Sequence, residues 1–436
     1  METTRRLRAR KNPAKLIAAA VFAILVILTI VWWTSAQQLP MITVPSPKLP
    51  TPNAFDTFNS AAANFVDGSK IGYAIGTRHT GLKDDRDYTW VEKRKFVAEN
   101  ALTLKLLRKG LHQVYLNPPA RSFNFMFPYY ARYRAMARLL VLESQVKINQ
   151  GDYAGATRSS MDAMDLGAQA PHGSVLIGGL VGIACQAIGR RPIWQHIDRL
   201  NVAQAREVGR RIGQIRRRQV PFAETMLEEK WCIQAGLLEV MRKPNSLGAI
   251  AQNIGSPVPA FMNSAVLSQL AFLVYSKRRI MNDYTTYIDA EIARAKLPFG
   301  TAPPPPIPND PIVQILVPVY DQASLKFVSH EAQNGLLEIA FALRAYRVEH
   351  RAYPAALNAL ATAIPSERTI DPFAKGASYK YRPAGSGYIL YSVGPDGTDD
   401  GGKAIDSGVS RAGNPNERYS VRADSKGDIV AAKNIW

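Results

Sequence analysis

"YYARYRAMARLLVLESQVKINQGDYAGATRSSMDAMDLG", residues 129–167, sets the fold class, because apolar residues recur at helical spacing on both sides of a Gly-Asp pair. Met136, Leu139, Leu140 and Val146 fall roughly on one side of a first helix. Gly151 and Asp152 interrupt it, and a second helix restarts at Tyr153. The spacing predicts an αα-hairpin and a mainly α-helical body.

The same periodicity extends in both directions from the hairpin. Downstream, Pro221 stands where a helix begins, with Glu224, Glu228 and Glu229 early and Arg242 and Lys243 late, the charge order that complements a helix dipole. Phe222, Met226, Leu227, Ile233, Leu237 and Leu238 supply its apolar face. The glycines of Gly173–Ala184, "GSVLIGGLVGIA", have no preceding strand or acidic partner for a dinucleotide site, so close helix packing is expected there. The hairpin's Gly-Asp-Tyr turn followed by Ala156 resembles a tetratricopeptide-repeat turn. No second copy occurs at a period of about 34 residues, so no repeat array is expected.

Ahead of the body, Leu16–Trp33 is an apolar run of the length that crosses a bilayer. Arg5, Arg6, Arg8, Arg10, Lys11 and Lys15 precede it, and no Lys or Arg follows until Lys48, so a cytoplasmic N-terminus and an extracytoplasmic bulk are expected. A cleaved signal peptide is the competing reading, since small residues precede Gln37. The expected organisation is a basic tail at 1–15, a transmembrane helix at 16–34, a Pro-rich stalk at 35–54 and a helical body at 55–298. A Pro-rich linker at 299–311 and a C-terminal module at 312–436 follow. The apolar stretch Val258–Tyr275 contains Pro259, Asn263, Ser264, Ser268 and Gln269, which favour a buried or interfacial helix over a second crossing.

The formal charge of +19 is unevenly placed: residues 320–436 carry 14 Lys and Arg against 13 Asp and Glu, so the excess lies upstream. It includes Arg210–Arg218, "RRIGQIRRR", and Lys277–Arg279, which either form a solvated basic face or meet anionic lipid or polymer. A chain directed across a membrane argues against nucleic acid as partner. Cys185 and Cys232 are compatible with a disulfide or with buried thiols. Nothing in the sequence sets the oligomeric state.

Catalytic signatures are sparse. "HEAQN", His330–Asn334, has Asn334 where a zinc protease needs its second histidine, so His330 is read as a helix-surface residue. Glu224 and Glu228 lack the E-x-x-H pairs of a di-iron bundle. No G-x-S-x-G, P-loop or paired C-x-x-C occurs.

The C-terminal quarter predicts a long helix with a stripe at Leu336, Ile339, Ala340, Leu343 and Tyr346, then a short helix, then a β-hairpin with its turn at Gly385–Gly387. Its order, helix, "YP", "DPF", "YKY", "GYILYSVGPDG", an acidic glycine-rich loop, a late "DI" and a terminal Trp, resembles the periplasmic domain of the major pseudopilin of type II secretion, the G subunit. The resemblance covers residues 320–436. It implies an α+β pseudopilin-like domain and a calcium ion in the loop after the strand, which suits hard oxygen donors on a glycine-flexed turn. Carried over by position, Val393 and Thr398 would offer carbonyls and Asp396 a side chain, while Asp399, Asp400, Asp406 and Asp428 compete for the remaining places. An acidic turn without an ion is the alternative. The N-terminal "NPAKLIAAAVF" lacks the pseudopilin cleavage motif, which argues against ordinary pilus assembly. The whole arrangement resembles a group of uncharacterised bacterial membrane-anchored proteins with pseudopilin-like C-termini.

Together these features predict a single-pass inner-membrane protein whose bulk is periplasmic. It would be a non-enzymatic scaffold, with secretion or pilus-like envelope proteins as partners. The alternative is an enzyme, a hydrolase, with a site assembled in the helical body from residues distant in sequence.

Overall fold

The computed structural model describes residues 13–66, 89–242, 276–317, 320–408 and 418–434. The expectations for Val258–Tyr275 and for the tail before Pro13, and residues 409–417 of the C-terminal module, lie outside the described residues.

Among the described residues the chain is mainly α-helical with one small sheet. The helices are α1 Pro13–Gln37, α2 Ala54–Ala63, α3 Trp90–Glu99, α4 Ala101–Leu111, α5 Pro128–Asn149 and α6 Tyr153–Gln169. They continue with α7 Leu176–Ile193, α8 Val202–Arg218, α9 Phe222–Arg242, α10 Lys277–Ala295, α11 Pro311–Leu316 and α12 Tyr320–His350. The hairpin at residues 129–167 forms as α5 and α6. Gly151 takes φ of +81°, which favours glycine, and the Asp152 carboxylate accepts the Gly155 N–H at 2.7 Å to cap α6. Capping boxes start α3 at Thr89 and Glu92 and α8 at Asn201 and Gln204.

The chain divides into two compact units. The smaller draws on the segment up to Val44, on Gln234–Tyr287 and on Ile307–Leu316. Within it Leu237, Val240, Met241, Ile280, Met281 and Tyr284 are buried, and Gln234 Nε2 donates to Thr285 Oγ1 at 2.9 Å. Among the described residues no helix is long and apolar enough to cross a membrane. The run Leu16–Trp33 lies only partly within the residues whose side chains are described.

The larger unit holds Pro45–Ile233, Ile288–Pro306 and Val317–Trp436. One of its cores gathers Phe58, Phe96, Leu107, Tyr133, Leu139 and Cys185 between α2, α3, α4, α5 and α7. A second joins Met161 and Met164 of α6 and Ile212 and Ile215 of α8 to Leu337 and Phe341 of α12. A third sets Leu336, Ile339 and Leu343 of the same helix against Tyr379, Leu390, Val393 and Ile429 of the sheet. Helix α12 is therefore buried on two sides. The boundary expected at 299–311 does not separate two bodies, because one face of α12 completes the helical core and the other completes the sheet's.

The sheet is antiparallel in the order β1 (Lys380–Ala384), β2 (Gly387–Ser392) and β3 (Ile429–Val430). Tyr381 pairs with Leu390 and Ala384 with Gly387, leaving a two-residue turn in which Gly385 has φ of +57°. The short helix expected after Pro354 is a 3₁₀ turn at Leu357–Leu360.

Candidate functional site

The seven residues carried over as calcium ligands do not form a single cage. Asp371 anchors the start of their loop: its buried carboxylate accepts Ser392 Oγ at 2.7 Å, the Val393 N–H at 2.9 Å and the Phe373 N–H at 3.0 Å. Beyond it, Gly394, Gly397, Gly401 and Gly402 all take positive φ, so the glycine-flexed turn is present. Asp396 accepts the Thr398 N–H at 3.1 Å and lies 3.7 Å from Lys426 Nζ. Asp399 accepts Tyr391 Oη at 2.8 Å and pairs with Lys380 at 3.1 Å, contacts that hold its carboxyl below the ordinary range. Asp406 is paired with Arg418. Asp428 is fully buried and accepts the N–H groups of Gly402 at 2.7 Å and Asp400 at 3.4 Å. Burial, with the charges of Asp399 and Asp400 adding to it, pushes Asp428 up to about 6. The loop thus brings Asp399, Asp400 and Asp428 near one another, while Asp396, Asp399 and Asp406 each have a cation beside them. Among the described residues no group of three or more metal-ligating side chains is arranged to hold an ion.

His330 is not on the helix surface. It is 2% exposed, because α12 turns this segment toward α7. Arg190 of α7, 1% exposed, donates from Nη1 to His330 Nδ1 at 3.1 Å and to Asn334 Oδ1 at 2.9 Å, and from Nη2 to Gln333. Asn334, the residue that displaces the zinc ligand, donates in turn to Gln186 Oε1 at 3.0 Å. Burial pushes Arg190 down to about 9 and, with the nearby guanidinium, drives His330 well below its ordinary value. The "HEAQN" segment binds the chain to itself.

Cys185 and Cys232 are free thiols pushed up to about 12 by burial, so neither is a poised nucleophile. Glu228 pairs with Arg121 at 3.1 Å, and Glu229 accepts the Leu176 N–H at 2.8 Å. Within Gly173–Ala184, where close helix packing was expected, the glycines do serve packing. A Cβ on Gly182 would lie 2.5 Å from the carbonyl of Gly167 on α6.

A recess lies among α4, α5, α6 and α8, with a cavity volume of about 650 Å³. Arg108, Lys147, Arg158, Arg211, Arg217 and Arg218 line it together with Asp162 and Asp165. The buried carboxylates fix the cations in an alternating chain. Asp165 accepts Arg218 at 2.7 Å and Arg211 at 2.8 Å; Asp162 accepts Arg211 at 2.6 Å and Arg108 at 2.9 Å. Glu143 takes Arg108 and lies 3.2 Å from Lys147. Burial weakens the cationic form of Arg108 and Arg211, but these carboxylates more than offset it and raise both. Arg158 and Arg217 are exposed and have no ionic partner among the described residues. The sequence did flag Arg210–Arg218, though only as a basic run. What it hid was the acidic floor, whose one local signal is Asp162 and Asp165 three apart on a helix rich in small residues.

Compared with known protein families, curated proteins and solved structures, the chain matches none of them.

Proposed function

We propose that the protein is a non-enzymatic, membrane-anchored envelope protein, held by α1 with its N-terminus cytoplasmic and its bulk in the periplasm. In this reading it is a scaffold whose pseudopilin-like C-terminal part links it to secretion or pilus-like machinery. The observation that carries the proposal is α1: eight consecutive residues, 21–28, are exposed, among them Phe22 at 69% and Leu28 at 58%. A helix whose described apolar side chains stand exposed in this way finds its natural cover in lipid. As a helix of 25 residues α1 is about 37 Å long at 1.5 Å per residue, and the apolar run that the sequence offers for lipid, Leu16–Trp33, lies within it.

Two further features support the reading. A long helix followed by an antiparallel hairpin and an aspartate-anchored glycine loop is the layout the pseudopilin resemblance implies. The recess among α4, α5, α6 and α8 is lined by guanidinium groups, two of which, Arg108 and Arg211, are held cationic by buried carboxylates, which suits binding rather than proton transfer. In intact cells with a permeabilised outer envelope, added protease is expected to remove a C-terminal tag and spare an N-terminal one. Crosslinking should recover secretion ATPase, platform or pseudopilin subunits. A protected C-terminal tag overturns the topology, and recovery of lipid alone overturns the link to secretion.

Calcium belongs to the same proposal: the ion would draw Asp399, Asp400 and Asp428, the candidates nearest one another, into a shell that they do not form without it. Burial, with the charges of Asp399 and Asp400 adding to it, holds Asp428 at about 6, and a divalent cation would favour its ionised form. The full chain in detergent should melt several degrees higher in calcium than in chelator, and Asp428→Asn should abolish the difference. Identical melting of the unsubstituted chain in both conditions rejects the ion.

A further inference from the structure

The recess among α4, α5, α6 and α8 has a charge balance that the described residues do not close. Six cations line it: Arg108, Lys147, Arg158, Arg211, Arg217 and Arg218. Three carboxylates, Asp162, Asp165 and Glu143, answer them. Those acids sit at the base, 9–11% exposed at their side chains, whereas Arg108 and Arg218 are 38% and 48% exposed. The acids therefore hold the guanidiniums from one side and leave the other side to the cavity. A guanidinium carries five N–H donors. Arg108 and Arg211 each use Nε and Nη2 on carboxylates, so the Nη1 donors of both remain. Arg158 and Arg217 contribute their full charge.

The groups come from four helices rather than one. A planar carboxylate takes a guanidinium fork from a single direction, whereas a phosphate presents oxygens in several directions and carries more charge. The cavity is also elongated. A second recess of about 440 Å³ shares Leu111, His112 and Arg218 with the first and adds Tyr115, Gln169 and His172. We propose that this groove binds a ligand bearing a linear di- or polyphosphate group, with the phosphates along the cations of α6 and α8 and the remainder of the ligand toward His112 and His172. The source is either a soluble polyphosphate compound or a lipid with a diphosphate headgroup, since both present the same chemistry.

The test uses the full chain in detergent, titrated calorimetrically with inorganic tripolyphosphate and with a short-chain lipid carrying a diphosphate headgroup. Saturable binding that weakens with added salt is expected for at least one of them, and the tighter one assigns the source. Arg158 and Arg217 hold nothing else in place, so the R158E/R217E double variant should fold and melt as the unsubstituted chain does. It should bind on the order of tenfold more weakly or worse. Absence of saturable binding to both probes overturns the proposal. So does binding that the double variant leaves unchanged, and so does a polyglutamate peptide of equal charge that binds as tightly as tripolyphosphate.

Discussion

Arg190 places a full guanidinium inside the protein with neutral acceptors around it. Gln333, Asn334 and His330 accept its hydrogen bonds, and no carboxylate does so among the described residues. The contact to His330 requires an unprotonated Nδ1, so the ring must be neutral; a second cation beside Arg190 would be costly in this buried setting. The folded pKa of His330 lies well below its unfolded value of 6.5. The unfolded chain therefore takes up the proton first as pH falls, and the stability present above pH 6.5 drains away below it. Each pH unit between the two values corresponds to about 1.4 kcal/mol. Urea titrations from pH 7.5 downward should show this slope, and His330→Gln, which keeps an acceptor but cannot titrate, should flatten it. His196, also depressed by burial, will leave a smaller slope of the same sign. An unchanged pH dependence in the variant would remove His330 from this role.

At the scale of elements, the contact between α6 and α7 is set by the absence of side chains. Gly182 faces the Gly167 carbonyl and Gly189 faces that of Ser160, each leaving a Cβ only 2.5 Å of room. Gly182→Ala or Gly189→Ala gains helix propensity but must push backbone apart. A net destabilisation of about 1–3 kcal/mol is expected, read as a lowered melting temperature with unchanged far-ultraviolet dichroism. Gly182 was legible in the sequence as a packing glycine, as were the α5–α6 hairpin and the β1–β2 turn, because local pattern and backbone chemistry determine them; Gly189 lies beyond the stretch that carried that reading. The burial of Arg216 was not legible. It sits in "RRIGQIRRR", where every arginine looks alike, yet its side chain is 7% exposed and reaches Glu338 at 2.6 Å and Glu331 at 2.7 Å. Those partners lie more than a hundred residues away on α12. The acidic floor of the groove was hidden for the same reason, since Asp162 and Asp165 acquire meaning only when α8 lies across them.

For the whole molecule, α12 decides whether the C-terminal quarter is an appendage or a structural member. A single apolar stripe would have let it cover the sheet and stand apart. Instead Leu337, Ala340 and Phe341 enter the core of α6 and α8, while Leu336, Ile339 and Leu343 enter that of the sheet. Arg216, Glu338 and Arg368 tie α8, α12 and the segment before β1 through one buried ion network. Removing residues 312–436 would uncover Met161, Met164, Ile212 and Ile215, each worth about 1.5–3 kcal/mol of burial, and would leave Arg216 without its acids. The truncated protein is expected to bind a hydrophobic dye and to be cut rapidly by protease in α8, whereas the full chain resists. If a protein ending at residue 311 instead melts cooperatively near the temperature of the full chain, α12 is an appendage after all. Retention of the fold only when α12 is restored as a separate polypeptide would place the dependence in this interface rather than in the linker.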